Sequence, residues 1–240
     1  DIYAQENYPR KEVVNSFGVP DHFLYRYALQ KLQQQKQPFM ATLLSISNHP
    51  PYVIPEWFHA NSEEEELQIV EYADDALRIF FKQAAEQPWY GNSVFVLLGD
   101  HGKLTGSPEC EMPQCLNHIP LIIHAPGLAP EEIDSWCMQM DVQPTLLSLL
   151  GIRAEQEHFG QNILQKPRSM ALYTADNMIG ARSDGHLYIY EPGTGTEWFY
   201  KSAADNKVVY CEEPDSTLLH MKRTLFSTLQ TAQEEIKKHE

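Results

Sequence analysis

The sequence has no long apolar run and few basic residues, and both shortages exclude classes of protein. No stretch of about 18 or more apolar residues occurs, so we expect no membrane span within these 240 residues. Eighteen Lys and Arg residues stand against 33 Asp and Glu residues, which gives a formal net charge of −15. Nucleic-acid binding needs a basic surface, so we expect no nucleic-acid partner. The same charge argues against adhesion to anionic lipid by electrostatic attraction alone.

The sequence also shows no initiating Met, signal peptide, internal repeat or low-complexity linker. Because it begins with Asp1, we interpret the chain as a fragment whose targeting segment lies upstream. Hydrophobic residues make up 42% of the chain, which predicts a packed core rather than disorder. The length suits one large domain or a domain with a small appendage.

Four cysteines are present, and two of them share a loop flanked by prolines. Cys110 and Cys115 could form a small disulfide in an oxidising compartment. A zinc site that adds His118 is a weak alternative, because three ligands in one loop lack the usual second pair. Free buried thiols are equally compatible with the pattern.

The stretch from Ser93 to Gly102 joins an apolar run to polar residues of metal-ligand type. The run closes at Gly99 and predicts a strand buried on both faces, as in a parallel sheet. Asp100 and His101 follow at once, and ligands of open α/β sheets bind beyond the carboxyl ends of strands. Carboxylate and imidazole are common ligands of divalent metals. The alternative is an ordinary Gly-Asp turn with a surface His.

A second apolar run, residues 39–47, also ends in polar residues. Asn48 and His49 follow it, and two prolines then stop the predicted strand. A long amphipathic helix is predicted between the two runs, which is the order of a parallel crossover unit. We therefore expect His49 to face Asp100 and His101 across about one small anion. The alternative is that His49 only caps the proline turn.

The remaining patterns predict an α/β fold. We expect a mainly parallel sheet flanked by helices over residues 1–166, and a small antiparallel sheet plus a terminal helix over residues 167–240. The supporting signals are a helix capped by Asp21, a capping box of Ser62 and Glu65, a strand over 119–124, a helix over 142–150 capped by Asp141, short strands near 170–174, 178–182, 186–190 and 197–200, and a helix capped by Asp215 or Ser216.

Three consecutive motifs resemble the carboxyl-terminal half of the sulfatase family, within the alkaline-phosphatase superfamily. Their order and spacing are specific, and together they cover about residues 93–151. The motifs are Phe95-Val96-Leu97-Leu98-Gly99-Asp100-His101-Gly102, Ile119-Pro120-Leu121-Ile122-Ile123-His124-Ala125-Pro126-Gly127 and Asp141-Val142-Gln143-Pro144-Thr145-Leu146-Leu147.

Two upstream stretches, residues 14–21 and 44–52, resemble the lipoteichoic acid synthase branch of that family. The resemblance implies a membrane-anchored phosphoglycerol transferase with an extracytoplasmic catalytic domain. It implies an anionic phospho- or sulfo-ester substrate and a glycan or lipid acceptor. Localisation on the periplasmic or cell-surface side of a bacterial membrane follows from the same resemblance.

The resemblance also implies roles for individual residues. Asp100 and His101 would bind a divalent metal, with manganese favoured and calcium, zinc or magnesium as alternatives. His49 would contact the transferred phosphate or sulfate, or assist the leaving group. Asn48 and Lys103 would bind the substrate beside it. His124 could point at the site, although a structural role suits it better.

The nucleophile of the family has no counterpart in this sequence. Cys110 and Cys115 lack the Cys-x-Pro-x-Arg context of a formylglycine. We therefore expect an amino-terminal half to supply the nucleophile and an acidic ligand, and the chain to be inactive alone. Phosphoglycerol transfer is the favoured function, sulfate-ester hydrolysis is the first alternative, and a non-catalytic module that binds an anionic glycan or lipid headgroup is the second.

Overall fold

The computed structural model describes residues 1–155, 158–202 and 207–239. The chain divides into two compact units, Asp1–Phe95 with Ile123–Leu128 and Val96–Ile122 with Ala129–Glu240. The predicted domain boundary near residue 167 differs from this division and stays a prediction. Within the described ranges, no helix combines the length and apolar character needed to cross a bilayer.

The first unit is built on two packed helices, α1 (Asp21–Leu32) and α2 (Glu65–Ala84). Apolar side chains recur on α2 at the spacing of one helix face, so that face is removed from water against α1. Their shared core is a cluster of buried apolar residues: Leu29, Phe80, Ala84 and Trp89.

The predicted capping box at the start of α2 does not form. The helix begins at Glu65, and its N-cap side chain makes no capping hydrogen bond. Instead, the Glu71 carboxylate accepts N–H bonds from Asn61 at 2.7 Å and Ser62 at 3.1 Å. A carboxylate has four acceptor positions, so Glu71 binds the segment before the helix, and no side chain caps the N-terminus of α2.

The strand predicted at residues 39–47 is absent from the structure. The segment has no strand assignment, and Met40 and Leu44 are 92% and 74% exposed. A strand needs a hydrogen-bonded neighbour, and the described part of the chain places none beside this segment. The expected parallel crossover from this run to the run at 93–98 is therefore not formed.

The two motif strands are β1 (Phe95–Leu98) and β2 (Leu121–His124), which form a two-stranded sheet. The rings of Phe95 and His124 face each other at 6.0 Å, and the Gly99 N–H donates to the Pro120 carbonyl at 3.4 Å. The start of one strand thus meets the end of the other, which indicates an antiparallel pair.

The second unit contains a five-stranded antiparallel sheet in which each strand pairs with the next along the chain. Asp184 and Gly185 form the predicted turn between β4 and β5, and Gly185 has a φ of +74°. The strands are β3 (Ala171–Ala175), β4 (Met178–Ser183), β5 (His186–Glu191), β6 (Thr196–Ser202) and β7 (Val208–Tyr210).

Different elements cover the two faces of this sheet. The terminal helix α4 (Ser216–His239) covers one face with three buried side chains, and Asp215 caps it as predicted. Met112, from the long loop between β1 and β2, covers the other face. The three helix residues are Leu218, Met221 and Leu225. Successive residues of a strand point to opposite faces, so each strand contributes to both clusters.

A short helix, α3 (Val142–Leu149), completes the second unit, and the predicted stop residue Gly151 follows its C-cap residue Leu150 with a φ of +67°. The α/β class, the small antiparallel sheet and the terminal helix are thus confirmed.

Candidate active site

Asp100 and His101 lie directly after β1, as the sequence predicts, and both side chains are exposed, by 79% and 70%. The Asp100 Oδ1 accepts the His101 backbone N–H at 2.9 Å. The His101 Nδ1 lies 2.7 Å from the Gly102 carbonyl oxygen. A carbonyl can only accept, so Nδ1 carries the proton and Nε2 presents its lone pair outward.

The outward atoms of this pair fit a divalent metal. Asp100 Oδ2 and His101 Nε2 lie 3.9 Å apart. Two ligand atoms at that separation can share one ion when each bond is about 2.1 Å long. The Gly102 carbonyl fixes the imidazole tautomer, as backbone carbonyls commonly do for metal-binding histidines. Among the described residues no group of three His, Cys, Asp or Glu side chains assembles, so the pair supplies half of a coordination shell.

Glycine is required at position 102 because the backbone passes very close to a neighbouring segment. A Cβ atom there would lie 2.0 Å from the Cys115 carbonyl oxygen. The Gly102 N–H donates to the Leu116 carbonyl at 2.8 Å. The turn that carries the two candidate ligands is therefore fixed to the loop that follows it.

Gln139 holds the same turn from another side, although nothing in the sequence predicts this role. Its Nε2 donates to the carbonyls of Gly99 at 3.3 Å and Asp100 at 3.0 Å. These bonds engage the backbone carbonyls of the turn, and the Asp100 carboxylate remains exposed to solvent. No local pattern marks Gln139, because its partners lie about 40 residues away in sequence.

Asp141, which follows Gln139 by two residues, is buried and makes an ion pair that the sequence does not predict. Its two oxygens lie 2.5 and 2.6 Å from the Arg168 guanidinium, and they also accept the Met138 and Gln161 N–H groups. Burial alone would raise the pKa of Asp141, but the Arg168 and backbone hydrogen bonds outweigh it and lower that pKa below its usual value. The predicted cap of α3 is thus instead a buried anchor.

His49 lies in the first unit, on an exposed turn rather than at the end of a strand. Its ring packs on Phe17 at 4.0 Å between centroids, and its Nδ1 donates to the Pro50 carbonyl at 2.6 Å. Its Nε2 is therefore the nitrogen available to a substrate. Asp100 and His101 belong to the second unit, so the predicted proximity of His49 to that pair stays a prediction.

Asp21 supports the segment that leads to His49. The buried Asp21 carboxylate accepts the backbone N–H groups of Ile46 at 3.1 Å and Ser47 at 3.0 Å. The backbone N–H of Asp21 donates to the Ser47 hydroxyl at 3.0 Å. The sequence predicts that Asp21 caps α1, but no side-chain cap forms on this helix. The two other predicted substrate residues, Asn48 and Lys103, are exposed.

Three further side chains have structural environments. Cys110 and Cys115 are free thiols, and burial raises the pKa of Cys110. The proposed zinc ligands, these two cysteines with His118, form no metal-binding group in the described chain. His124 lies 3.1 Å from the Tyr90 hydroxyl and packs among aromatic rings, which supports the structural interpretation.

Comparison with known proteins decides the family. The model of the sulfatase family matches residues 1–152, a range that contains His49, Asp100 and His101. This chain belongs to the sulfatase family. The predicted resemblance is therefore confirmed.

The curated relatives of this sulfatase-family chain include bacterial lipoteichoic acid synthases. Lipoteichoic acid synthase 1 of Bacillus subtilis (strain 168) is 28% identical over 207 residues, which cover 77% of this chain and 32% of the relative. The lipoteichoic acid synthase-like YvgJ of the same organism is 30% identical over 64% of this chain and 29% of its own length. The chain thus spans about a third of the length of these relatives.

Solved structures show the same fold. A protein in the alkaline phosphatase superfamily from Vibrio parahaemolyticus superimposes with a TM-score of 0.80 at 26% identity, covering 96% of this chain and 59% of that one. A 2-O GAG sulfatase superimposes with a TM-score of 0.59 at 16% identity, covering 97% of this chain and 68% of that one, and this likeness shows the fold alone. The alkaline-phosphatase-like fold predicted from the sequence is confirmed.

Proposed function

We propose that this chain is part of a metal-dependent enzyme that transfers phosphoglycerol from an anionic phosphate ester to a glycan or lipid acceptor. The observation that carries the proposal is the convergence of Asp100 Oδ2 and His101 Nε2, 3.9 Å apart, at the end of β1. The names of the curated relatives, which are lipoteichoic acid synthases, favour phosphoryl transfer.

Asp100 and His101 would hold the metal, with manganese favoured over calcium, zinc or magnesium. Asp100 contributes a hard anionic oxygen, and His101 contributes a neutral nitrogen whose tautomer is fixed by the Gly102 carbonyl. When bound, the metal would supply positive charge for the attacking and transferred oxygens. Two protein ligands alone bind a metal weakly, so the amino-terminal half would supply a further acidic ligand.

His49 would act on the substrate through Nε2. Its Nδ1 proton is already donated to the Pro50 carbonyl. A neutral His49 can therefore only accept a hydrogen bond at Nε2, whereas a protonated one donates to a phosphate or leaving oxygen. Asn48 and Lys103, both exposed, would add an amide donor and a positive charge for the same anion.

The nucleophile would come from an amino-terminal half of the same protein, which makes the chain inactive by itself. The sequence has no formylglycine motif, and the chain spans about a third of its curated relatives. The exposed apolar side chains Met40 and Leu44 support a covering partner for that surface. We place the full-length protein on the extracytoplasmic side of a bacterial membrane, anchored through upstream residues.

Two alternatives have an observation in their favour. The matching family model is that of sulfatases, which supports hydrolysis of a sulfate ester. The described chain offers two metal ligands rather than three, which supports a non-catalytic module for an anionic glycan or lipid headgroup.

Manganese binding tests the metal assignment directly. Electron paramagnetic resonance of free Mn²⁺ should reveal weak binding to the 240-residue chain, and Asp100→Ala should abolish it. Asp134→Ala removes another exposed carboxylate of the same unit and should leave binding unchanged. Equal binding by Asp100→Ala and the parent chain would overturn the assignment.

Activity separates the three functions. The full-length protein should release glycerol phosphate from a lipid donor faster than it hydrolyses an aryl sulfate. His49→Ala should lower turnover far more than manganese affinity, while His59→Ala, at another exposed histidine of the first unit, should change neither. The reverse substrate preference would favour the sulfatase, and no turnover of either ester would favour the binding module.

A further inference from the structure

The loop between β1 and β2 is anchored in the small sheet by Met112. This side chain is fully buried in a cluster with Leu187, Ile189 and Tyr200. Gly180 provides the necessary space, because a Cβ there would lie 2.9 Å from the Met112 sulfur. Burial removes the apolar surface of Met112 from water, so this side chain ties the middle of the loop to the sheet.

Two tyrosines of the sheet add polar anchors on the same face. The Tyr173 hydroxyl donates to the side-chain oxygen of Gln114, and the Tyr200 hydroxyl donates to the Glu111 carboxylate. The Gln114 Nε2 donates in turn to the Met112 carbonyl at 2.5 Å. Burial raises the pKa of both tyrosines, so both hydroxyls stay protonated and remain donors.

The far end of the loop contacts the turn that carries the candidate ligands. The Leu116 carbonyl accepts the Gly102 N–H at 2.8 Å, and the Cys115 carbonyl leaves no room for a side chain at position 102. Gly102 also accepts the Nδ1 proton of His101. A shift of the loop would therefore move the group that orients the His101 ring.

We propose that the loop from Glu109 to His118 is a positioning clamp, through which the small sheet orients His101. Metal ligands need their own supports, because a site loosened by about 1 Å loses its productive geometry. Here that support begins at Tyr173 and Met112 and ends at Gly102. The inference rests on the proposed role of Asp100 and His101 as metal ligands.

Two Tyr→Phe variants test the clamp. Tyr173→Phe removes the hydroxyl that holds Gln114, whereas Tyr188→Phe removes a hydroxyl that donates to Glu197 at 3.2 Å, on the face covered by α4. Amide exchange measured by NMR should become about fivefold faster at Gly102 in Tyr173→Phe only. The manganese affinity of the chain should fall in the same variant, by a similar factor.

Tyr188→Phe controls for the general loss of a hydrogen bond in the sheet, because it should lower global stability to a similar extent. An unchanged Gly102 exchange rate in Tyr173→Phe, or equal changes in both variants, would overturn the clamp. The exchange result needs no metal. Failure of the metal assignment would appear separately, as manganese binding that survives Asp100→Ala.

Discussion

Two apolar runs of this chain have opposite environments. Residues 39–47 form no strand, and Met40 and Leu44 are largely exposed. Strand β5 is paired on both edges, and Leu187, Tyr188 and Ile189 are fully buried. The difference shows that an apolar run becomes a strand only where neighbours take its hydrogen bonds and other elements cover its faces.

Hydrogen exchange should show the largest contrast between the two runs. The amides of β5 are hydrogen-bonded in a covered sheet and should exchange on global unfolding, about a thousandfold or more slowly than those of residues 40–45. The amides of α2 serve as a control that the first unit is folded. If the amides of residues 40–45 exchanged within tenfold of the rate of the β5 amides, this run would be paired in solution.

Truncating one leucine in each run should lower the free energy of unfolding by very different amounts. Leu187→Ala opens a cavity in a fully buried cluster and should cost about 2–5 kcal/mol of unfolding free energy. Leu44→Ala removes a side chain that is 74% exposed and should stay within about 0.5 kcal/mol. Urea denaturation of both variants measures the difference. Similar costs would show that Leu44 is covered in solution.

An added side chain at Gly180 should destabilise the face of the sheet that Met112 covers. In Gly180→Ala the new Cβ meets the buried Met112 sulfur at 2.9 Å, and the resulting overpacking should cost about 1–3 kcal/mol. Gly193→Ala is the matched control, since a Cβ there has open space and the backbone is not left-handed. Thermal unfolding compares the two. Equal melting temperatures would show that the Met112 side chain moves aside without lowering the stability of the fold.

Local patterns predicted the parts of this molecule whose partners are close in sequence. The turn at Asp184 and Gly185, the Asp215 cap and the position of Asp100 directly after a strand all depend on neighbouring residues. For polar side chains whose partners are distant in sequence, the predicted roles are wrong. Asp21 and Asp141 were both assigned to helix caps, because a carboxylate before a helix is the commonest sign of one.

Their actual partners lie about 25 residues away or more in sequence. Asp21 binds the backbone before His49, and Asp141 binds Arg168. Gln139 carries no sequence signal, because an exposed amide side chain is ordinary in any sequence. The contacts of Asp21, Gln139 and Asp141 that support the candidate site thus depend on the folded chain and not on neighbouring residues.

The smallest expected effect concerns the helix that covers β5 on its other face. Asp215 accepts the Leu218 N–H, and its carboxylate also lies 3.1 Å from Lys201 and 3.2 Å from His186. These contacts, the Leu218 bond first, lower the pKa of Asp215 from 3.8 to about 2. A lowered pKa in the folded state means that the contribution to stability is complete above about pH 4 and is lost as the pH falls through about 2.

Asp215→Asn tests this dependence, because the amide oxygen still accepts N–H bonds but carries no charge for the two cations. The variant should be slightly less stable than the parent chain at pH 6, and the difference should shrink as the pH falls from about 4 to 2. Urea denaturation at matched pH values cancels the titration of other carboxylates, including Asp141, which both chains share. A difference that stays constant down to pH 2 would mean that the charge of Asp215 does not stabilise the start of α4, and that the cover on this face of β5 depends on the apolar contacts of Leu218, Met221 and Leu225 alone.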